Sequence, residues 1–338
     1  MSQNTNDVTR FTFLDVLKRL DVSEEALLLG NALAQTNEIL DDLLIVQANE
    51  YMVNRVGKYT SLGQASRRRA NQGFNPSKAG VEDQVDAASI WADRIAIDEF
   101  VLARTPDRSG MIEQELMAKR DNLNIQMAYD LFYGNPALTL DSMLGIAPRL
   151  NSTQIPTVIS AGGATACTSM YLLTHEKDTF MAWYPATHPG GIKYINRGPN
   201  QPITDSAGKT FYGEVHDLEW ALGISLKNER RCARVANIAT GSLSNLGAVV
   251  SGGTANGPDL IDLAIRAMSA CQNVRNLNKD WYVNRTVLSF IARQFKAQAN
   301  HWITRQEIEG EGDPIFRILG VPVKLVEQIT NSETVVSA

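Results

Sequence analysis

Large apolar side chains along this sequence follow three successive regimes. From 11 to 46 they recur at helical spacing. FTFLDVLKRL (11–20) reads as a short amphipathic helix. Leu27, Leu28, Leu29, Leu33, Ile39, Leu40, Leu43 and Leu44 carry the period through 23–46, with Ser23, Glu24 and Glu25 as a start signal. From 51 to 80 large apolar residues thin out in favour of Gly, Asn, Ser and Gln. Such a stretch cannot build a core of its own, so it predicts an extended loop or ribbon projecting from the body.

The third regime begins with a long helix over 109–134. Ser109 is its expected cap, and Glu113 and Glu115 suit its first turns. Met111, Ile112, Leu116, Met117, Leu123, Met127 and Leu131 form the apolar stripe, and Gly134-Asn135-Pro136 ends it. Such a helix spans roughly 39 Å at 1.5 Å per residue. Strands follow at SMYLLT (169–174) and TFMAWY (179–184), flanking a charged turn of His175, Glu176, Lys177 and Asp178. In 219–227, Trp220, Leu222, Ile224 and Leu226 alternate with Ala221, Gly223, Ser225 and Lys227, which predicts a half-buried strand. Residues 258–272 and 280–303 read as helices, on Ile261, Ile265 and Met268 and on Val283, Val287, Ile291 and Phe295. PIFRILGVPVKLVEQI (314–329) returns to strand, with Pro322 favouring an edge. The order of elements is that of an α+β fold.

Charge sharpens the ribbon. Over 338 residues the chain carries 32 basic and 37 acidic side chains, a formal charge of −5. That balance disfavours a general polyanion binder. Locally the balance runs −7 over 21–50, +6 over 51–80 and −5 over 81–100. The +6 comes from Arg55, Lys58, Arg67, Arg68, Arg69 and Lys78. The segment SRRRANQGFNPSKAG (66–80) supports three readings: a nucleic-acid patch short of aromatics, a solvated loop, or a basic projection complementary to the acidic flanks of another copy.

Candidate chemistry is sparse. No GxxxxGK[ST], GxSxG, HExxH or CxxC occurs. GAVVSGGTANGPDL (247–260) is a glycine-rich loop before a helix but lacks a phosphate-loop lysine. The histidines at 175, 188, 216 and 301 have no metal-ligand spacing, so no metal or cofactor is expected. Cys232, among Arg230, Arg231 and Arg234, is better read as structural than as a nucleophile. Asp217 and Glu219 share a strand face without an identifiable catalytic partner. Cys167, Cys232 and Cys271 are too few and too scattered for a disulfide framework, which fits a reducing site of synthesis. No apolar run is long enough for a membrane helix, and the N-terminus lacks a signal-peptide core.

In order along the chain, NEILDDLLIVQANE (37–50), YTSLGQASRRRANQGFNPSKAG (59–80), VDAASIWADRIAIDEFVLA (85–103), YDLFYGNPALTLDSMLGIAPRLN (129–151) and FRILGVPVKLVEQI (316–329) resemble segments of the major capsid proteins of tailed bacteriophages. These have the Hong Kong 97-type fold, and the likeness is strongest to short-tailed phages. The resemblance implies an N-terminal arm (1–50), an E-loop (51–84), a peripheral domain with a spine helix (85–152, helix 109–134), an axial domain in two parts (153–210 and 241–310), further peripheral strands (211–240) and closing strands (311–338). It implies hexamers and pentamers of this chain tiling an icosahedral shell around double-stranded DNA, assembled in the host bacterial cytoplasm. Ribbon-like sequence already begins near residue 51, without the long helix-rich scaffolding region of the founding pattern, so a separate scaffolding protein is expected; a portal and a cement or decoration protein are further partners that the resemblance implies. The expected assembly residues are Arg55, Lys58, Arg67, Arg68, Arg69, Phe74 and Lys78. Lys58 and Lys78 are crosslinking candidates by position alone. The alternatives are a tail-tube or decoration subunit, a cytosolic enzyme using Asp217, Glu219, His188 or Cys232, and a nucleic-acid binder.

Overall fold

The structure is a computed structural model that describes residues 37–188, 191–205, 207–241, 258–272, 277–297, 303–306 and 315–337. The expected helix at 11–20, most of that at 23–46, and the glycine-rich loop up to residue 257 lie outside the described residues. The chain divides into two compact units. The described part of the first comprises Ile90–Met127 and Gly191–Ala221; the second takes in 37–89, 128–188 and 222–337.

In the first unit, β4 (Ser89–Asp98) runs into the short helix α2 (Glu99–Leu102) and then into α3 (Arg108–Tyr133). Ile95, Ile97, Val101, Leu102 and Met111 form its core, with Ile112 and Leu116 against them. The helix is capped by Asp107, whose carboxylate accepts from the Gly110 amide at 2.9 Å, and not by Ser109. Asp107 lies just before the first helical residue, where an acceptor can meet free amides. Met117 is exposed, so it leaves the predicted stripe, while Met111, Leu123, Met127 and Leu131 are buried. β8 (Ile192–Thr204) forms a long antiparallel ladder with β9 (Thr210–Leu226). β9 also neighbours β4, and a Cβ at Gly213 would meet the Ile97 carbonyl oxygen at 2.2 Å, so only glycine permits that approach.

The second unit is organised on a seven-stranded sheet in the order β12-β13-β14-β11-β6-β10-β5. Its strands are β5 (Val158–Ser160), β6 (Cys167–Thr174), β10 (Ala233–Ala239), β11 (Lys279–Val283), β12 (Ile303–Gln306), β13 (Ile315–Ile318) and β14 (Val321–Leu325). Met170, Leu172, Val235, Trp281 and Val283 pack with α5 (Leu260–Ala270) and α6 (Arg285–Ala297), whose Leu263, Ala267, Val287 and Ile291 are buried. On the other face of β6, the Tyr171 ring meets Phe132 at the end of α3, with centroids 5.1 Å apart. β6 is therefore buried along its whole length.

Four expectations change here. Of the helix expected over 23–46, the described part, 37–46, is helical only in α1 (Ile39–Asp42); Leu43 turns extended and β1 (Ile45–Gln47) pairs in parallel with β7 (Phe180–Tyr184). The β-branched Ile45 and Val46 suit that pairing. The strand at 219–227 is not half-buried: Ala221 through Leu226 are all inside. Its second face is closed because Gly223 leaves room for the Trp183 indole, which a Cβ would approach to 2.5 Å. The helix expected over 280–303 begins only at Arg285, since the aromatic and β-branched Trp281-Tyr282-Val283 form a central strand. Asn284 then caps the helix by accepting from the Val287 amide at 2.9 Å, and Ile303–Gln306 is again strand. Pro322 is on an interior strand. It sits one residue before the β11 ladder, whose first pair is Trp281 with Val323, so its missing N–H costs no ladder bond there.

Candidate functional site

The basic segment folds as an antiparallel ribbon of β2 (Val53–Ser61) and β3 (Gly80–Ala87), with register pairs from Val53–Ala87 to Tyr59–Val81. Residues 62–79 between them form the exposed tip. Alternation gives the ribbon two faces. One carries Asn54, Val56, Lys58 and, on β3, Asp86; Asn54, Val56 and Asp86 are buried. The other carries Arg55, Tyr59, Val81 and Val85, all exposed.

The buried face is held at its root by a polar chain. The Asn54 amide donates to Ser225 Oγ at 2.8 Å, and that hydroxyl donates to Asp86 Oδ2 at 2.5 Å. Asp86 Oδ1 accepts from Arg149 Nη2 at 2.6 Å and from Gln84 Nε2 at 2.8 Å. Arg149, the last residue of α4 (Ile146–Arg149), and Asp86 have side chains only 6% and 3% exposed. Further out, Lys58 Nζ meets Glu229 Oε1 at 2.5 Å. Sequence reading missed Asn54, Asp86, Arg149 and Ser225, whose partners lie far apart along the chain.

The seven predicted assembly residues divide accordingly. Lys58 is spoken for by Glu229, and Arg55 lies 2.9 Å from Glu50 and 3.8 Å from Asp83. At the tip, Arg68 Nε donates to the Gln72 carbonyl at 2.6 Å, and its guanidinium lies 5.9 Å from the Phe74 ring centroid. Asn71 takes a positive φ of 60°, which turns the chain there. Arg67, Arg69 and Lys78 are exposed and, among the described residues, have no ion-pair partner.

The residues that a catalytic reading would need have structural partners. Asp217 receives Arg94 at 2.6 Å and also Arg197; the hydrogen bond from Arg94 leads in holding its carboxyl below the usual range. Cys232 is fully buried, and burial pushes its thiol up to about 12. His188 Nδ1 lies 3.0 Å from the Thr187 hydroxyl. His175 shares a hydrogen bond of 2.7 Å with the Tyr282 hydroxyl, and burial, the largest influence, pushes its pKa down. An open cleft of about 580 Å³ is lined in part by Asp42, Lys279, Asp280, Arg317 and Lys324, with Lys324 bridging the two aspartates. Among the described residues, no group of three His, Cys, Asp or Glu is placed to hold a metal, and no helix is long and apolar enough to cross a membrane.

A second polar centre closes the seven-stranded sheet. Arg234 donates to Ala147 O, Leu150 O, Ser169 Oγ and Glu333 Oε2, at 2.9 to 3.1 Å. Glu333 also accepts from the Tyr133 and Tyr171 hydroxyls, at 2.5 and 3.2 Å, and from Ser169 Oγ. Asn237 holds Val336 by two bonds of 2.8 Å.

Comparison with one solved structure agrees with this architecture. A chain of the bacteriophage Epsilon15 structure superposes with a TM-score of 0.77 at 21% identity, covering 99% of this chain and 100% of that one. The SrpI encapsulin complex from Synechococcus elongatus aligns over 63% of this chain and 91% of its own, at 9% identity and a TM-score of 0.45. No curated protein matches the sequence. The fold is of the Hong Kong 97-like capsid kind, mixed in helix and sheet as the α+β reading expects. Residues 23–337 match the family described as Major capsid protein GP7. The chain belongs to that family, and it is a structural, non-enzymatic subunit of a phage capsid built from many copies.

Proposed function

We propose that the 51–84 ribbon is the E-loop of this subunit and that its tip reaches an acidic surface of the next copy. What carries this reading is the arrangement of charge. The base cations are satisfied within the chain, whereas Arg67 and Arg69 project from an exposed tip and, among the described residues, have no counter-charge. Each exposed ion pair contributes only ~0–1 kcal/mol, so the arginines set register while apolar burial supplies most of the affinity.

In this reading the copies form hexamers and pentamers of an icosahedral shell around double-stranded DNA, assembled in the bacterial cytoplasm on a separate scaffolding protein, with a portal and a cement protein completing the particle. The peripheral domain comprises 85–152 and 211–240, and the axial domain 153–210 and 241–310. Lys78, exposed and unpaired, is a freer crosslinking candidate than Lys58. Arg67→Ala, Arg68→Ala and Arg69→Ala combined should lower shell yield and salt resistance while the subunit folds normally. Unchanged yield and salt resistance, or a particle structure with the triplet facing the DNA cavity, overturns the reading.

A further inference from the structure

We propose that residues 135–142, just beyond the C-terminal end of α3, form a rigid apolar knob by which one copy of this chain grips a second. Leu138 and Leu140 are the most exposed large apolar side chains among the described residues, at 84% and 88%. The loop that presents them is firmly built. Asn135 O accepts from the amides of Leu138 and Thr139, both at 2.9 Å, and Asn135 Oδ1 accepts from Ala137 N at 3.0 Å. Thr139 O accepts from both the amide and the hydroxyl of Ser142. The two ends are pinned together where Gly145 N donates to Gly134 O at 2.8 Å. A Cβ at Gly145 would lie 2.7 Å from Phe132 O, so the neck admits only glycine without rearrangement. On this loop both leucines stand clear of their own unit.

The occupant is a second copy. Two leucine side chains are a small part of the roughly 1,200–2,000 Å² that a free-standing complex buries. Such a knob is effective only inside a larger, repeated contact, and this chain forms a shell from many copies. The knob also shares its footing with the ribbon: Met143 N donates to Ser89 Oγ at 2.7 Å, and Arg149 holds Asp86. A neighbour positioned by the ribbon is thereby positioned against the knob. The proposal rests on shell membership and not on the arginine tip, so the two fail separately.

The test has two arms. Leu138→Ser with Leu140→Ser should leave the melting temperature of the unassembled subunit unchanged, yet raise the concentration for half-assembly about tenfold, as loss of a buried apolar anchor would. Separately, Leu140→Cys carrying a benzophenone maleimide should, on irradiation of assembled shells, give an adduct of twice the subunit mass. The same adduct should form when Arg67, Arg68 and Arg69 are all alanine and shells are assembled at low salt. Assembly of the serine variant at the unaltered concentration overturns the proposal. So does a photoproduct formed only with a different protein, or none.

Discussion

The ribbon and the seven-stranded sheet belong to the same unit and are both β-structure, yet they are held by opposite means. The sheet is packed on both faces: Met170, Leu172 and Trp281 meet helices on one side, while Tyr171 and Ser169 meet Phe132 and Glu333 on the other. The ribbon has two strands and one covered face, too little for independent stability. It is fixed at its root by the Asn54–Ser225–Asp86–Arg149 chain and at Lys58 by Glu229. Hydrophobic burial is non-directional and grows with covered area, so it suits the element that must never open. A few buried polar bonds fix direction at a point, which suits an element that must be aimed and then covered by another molecule.

The difference can be broken from either side. The largest effect is expected at the sheet. Glu333→Ala leaves Arg234 buried without its counter-charge, and loss of one partner of a buried pair costs about 3–5 kcal/mol. Urea unfolding of the unassembled subunit measures it, and a change under 1 kcal/mol would show that the tail is not part of the sheet's stability. Next, Arg149→Met should loosen the ribbon selectively. Amides of 53–61 and 80–87 should exchange at least about tenfold faster while those of β6 and β10 keep their protection, as expected of separable units of local opening. Equal loss of protection in both would erase the distinction drawn between them.

A smaller effect depends on pH. Burial lowers the folded pKa of His175, against the opposing pull of Asp280 and Asp42 and with the help of Lys324. The unfolded chain then takes up the proton first as pH falls. The neutral histidine's contribution is complete above the ordinary value near 6.5 and declines below it, by at most ~1.4 kcal/mol per pH unit. His175→Gln should flatten that slope in urea titrations between pH 7 and 5. A slope that survives the substitution assigns it to other groups.

Much of this contrast was legible in the chain. Depletion of large apolar residues over 51–80 announced the ribbon, and the period of two in 219–227 announced β9. What stayed hidden was what depends on distant partners. Trp281-Tyr282-Val283 is equally apolar in a helix or a strand, and only pairing with β6 and β14 decides it. The cue was present in Asn284, a cap residue placed directly after an aromatic and β-branched run. Leu43–Val46 reads as helix because its leucines continue a period that β7 overrides. At the site, the tip arginines were visible as a charge run. Asp86 and Arg149, 63 residues apart, gave no local sign of pairing. Nor did Glu333, whose partners at 133, 169, 171 and 234 all precede it by about 100 residues or more.

That last separation bears on timing during synthesis. Every residue that Glu333 touches leaves the ribosome well before it does. Until then Arg234 has its carbonyl and hydroxyl acceptors but no anion, and the Tyr133 and Tyr171 hydroxyls lack their common acceptor. A nascent chain can therefore gather the strands of the sheet without sealing them. Closure waits for the tail, so full subunit stability comes only after the ribbon, the knob and both units have been translated, and an incomplete chain is a poor recruit to a growing shell.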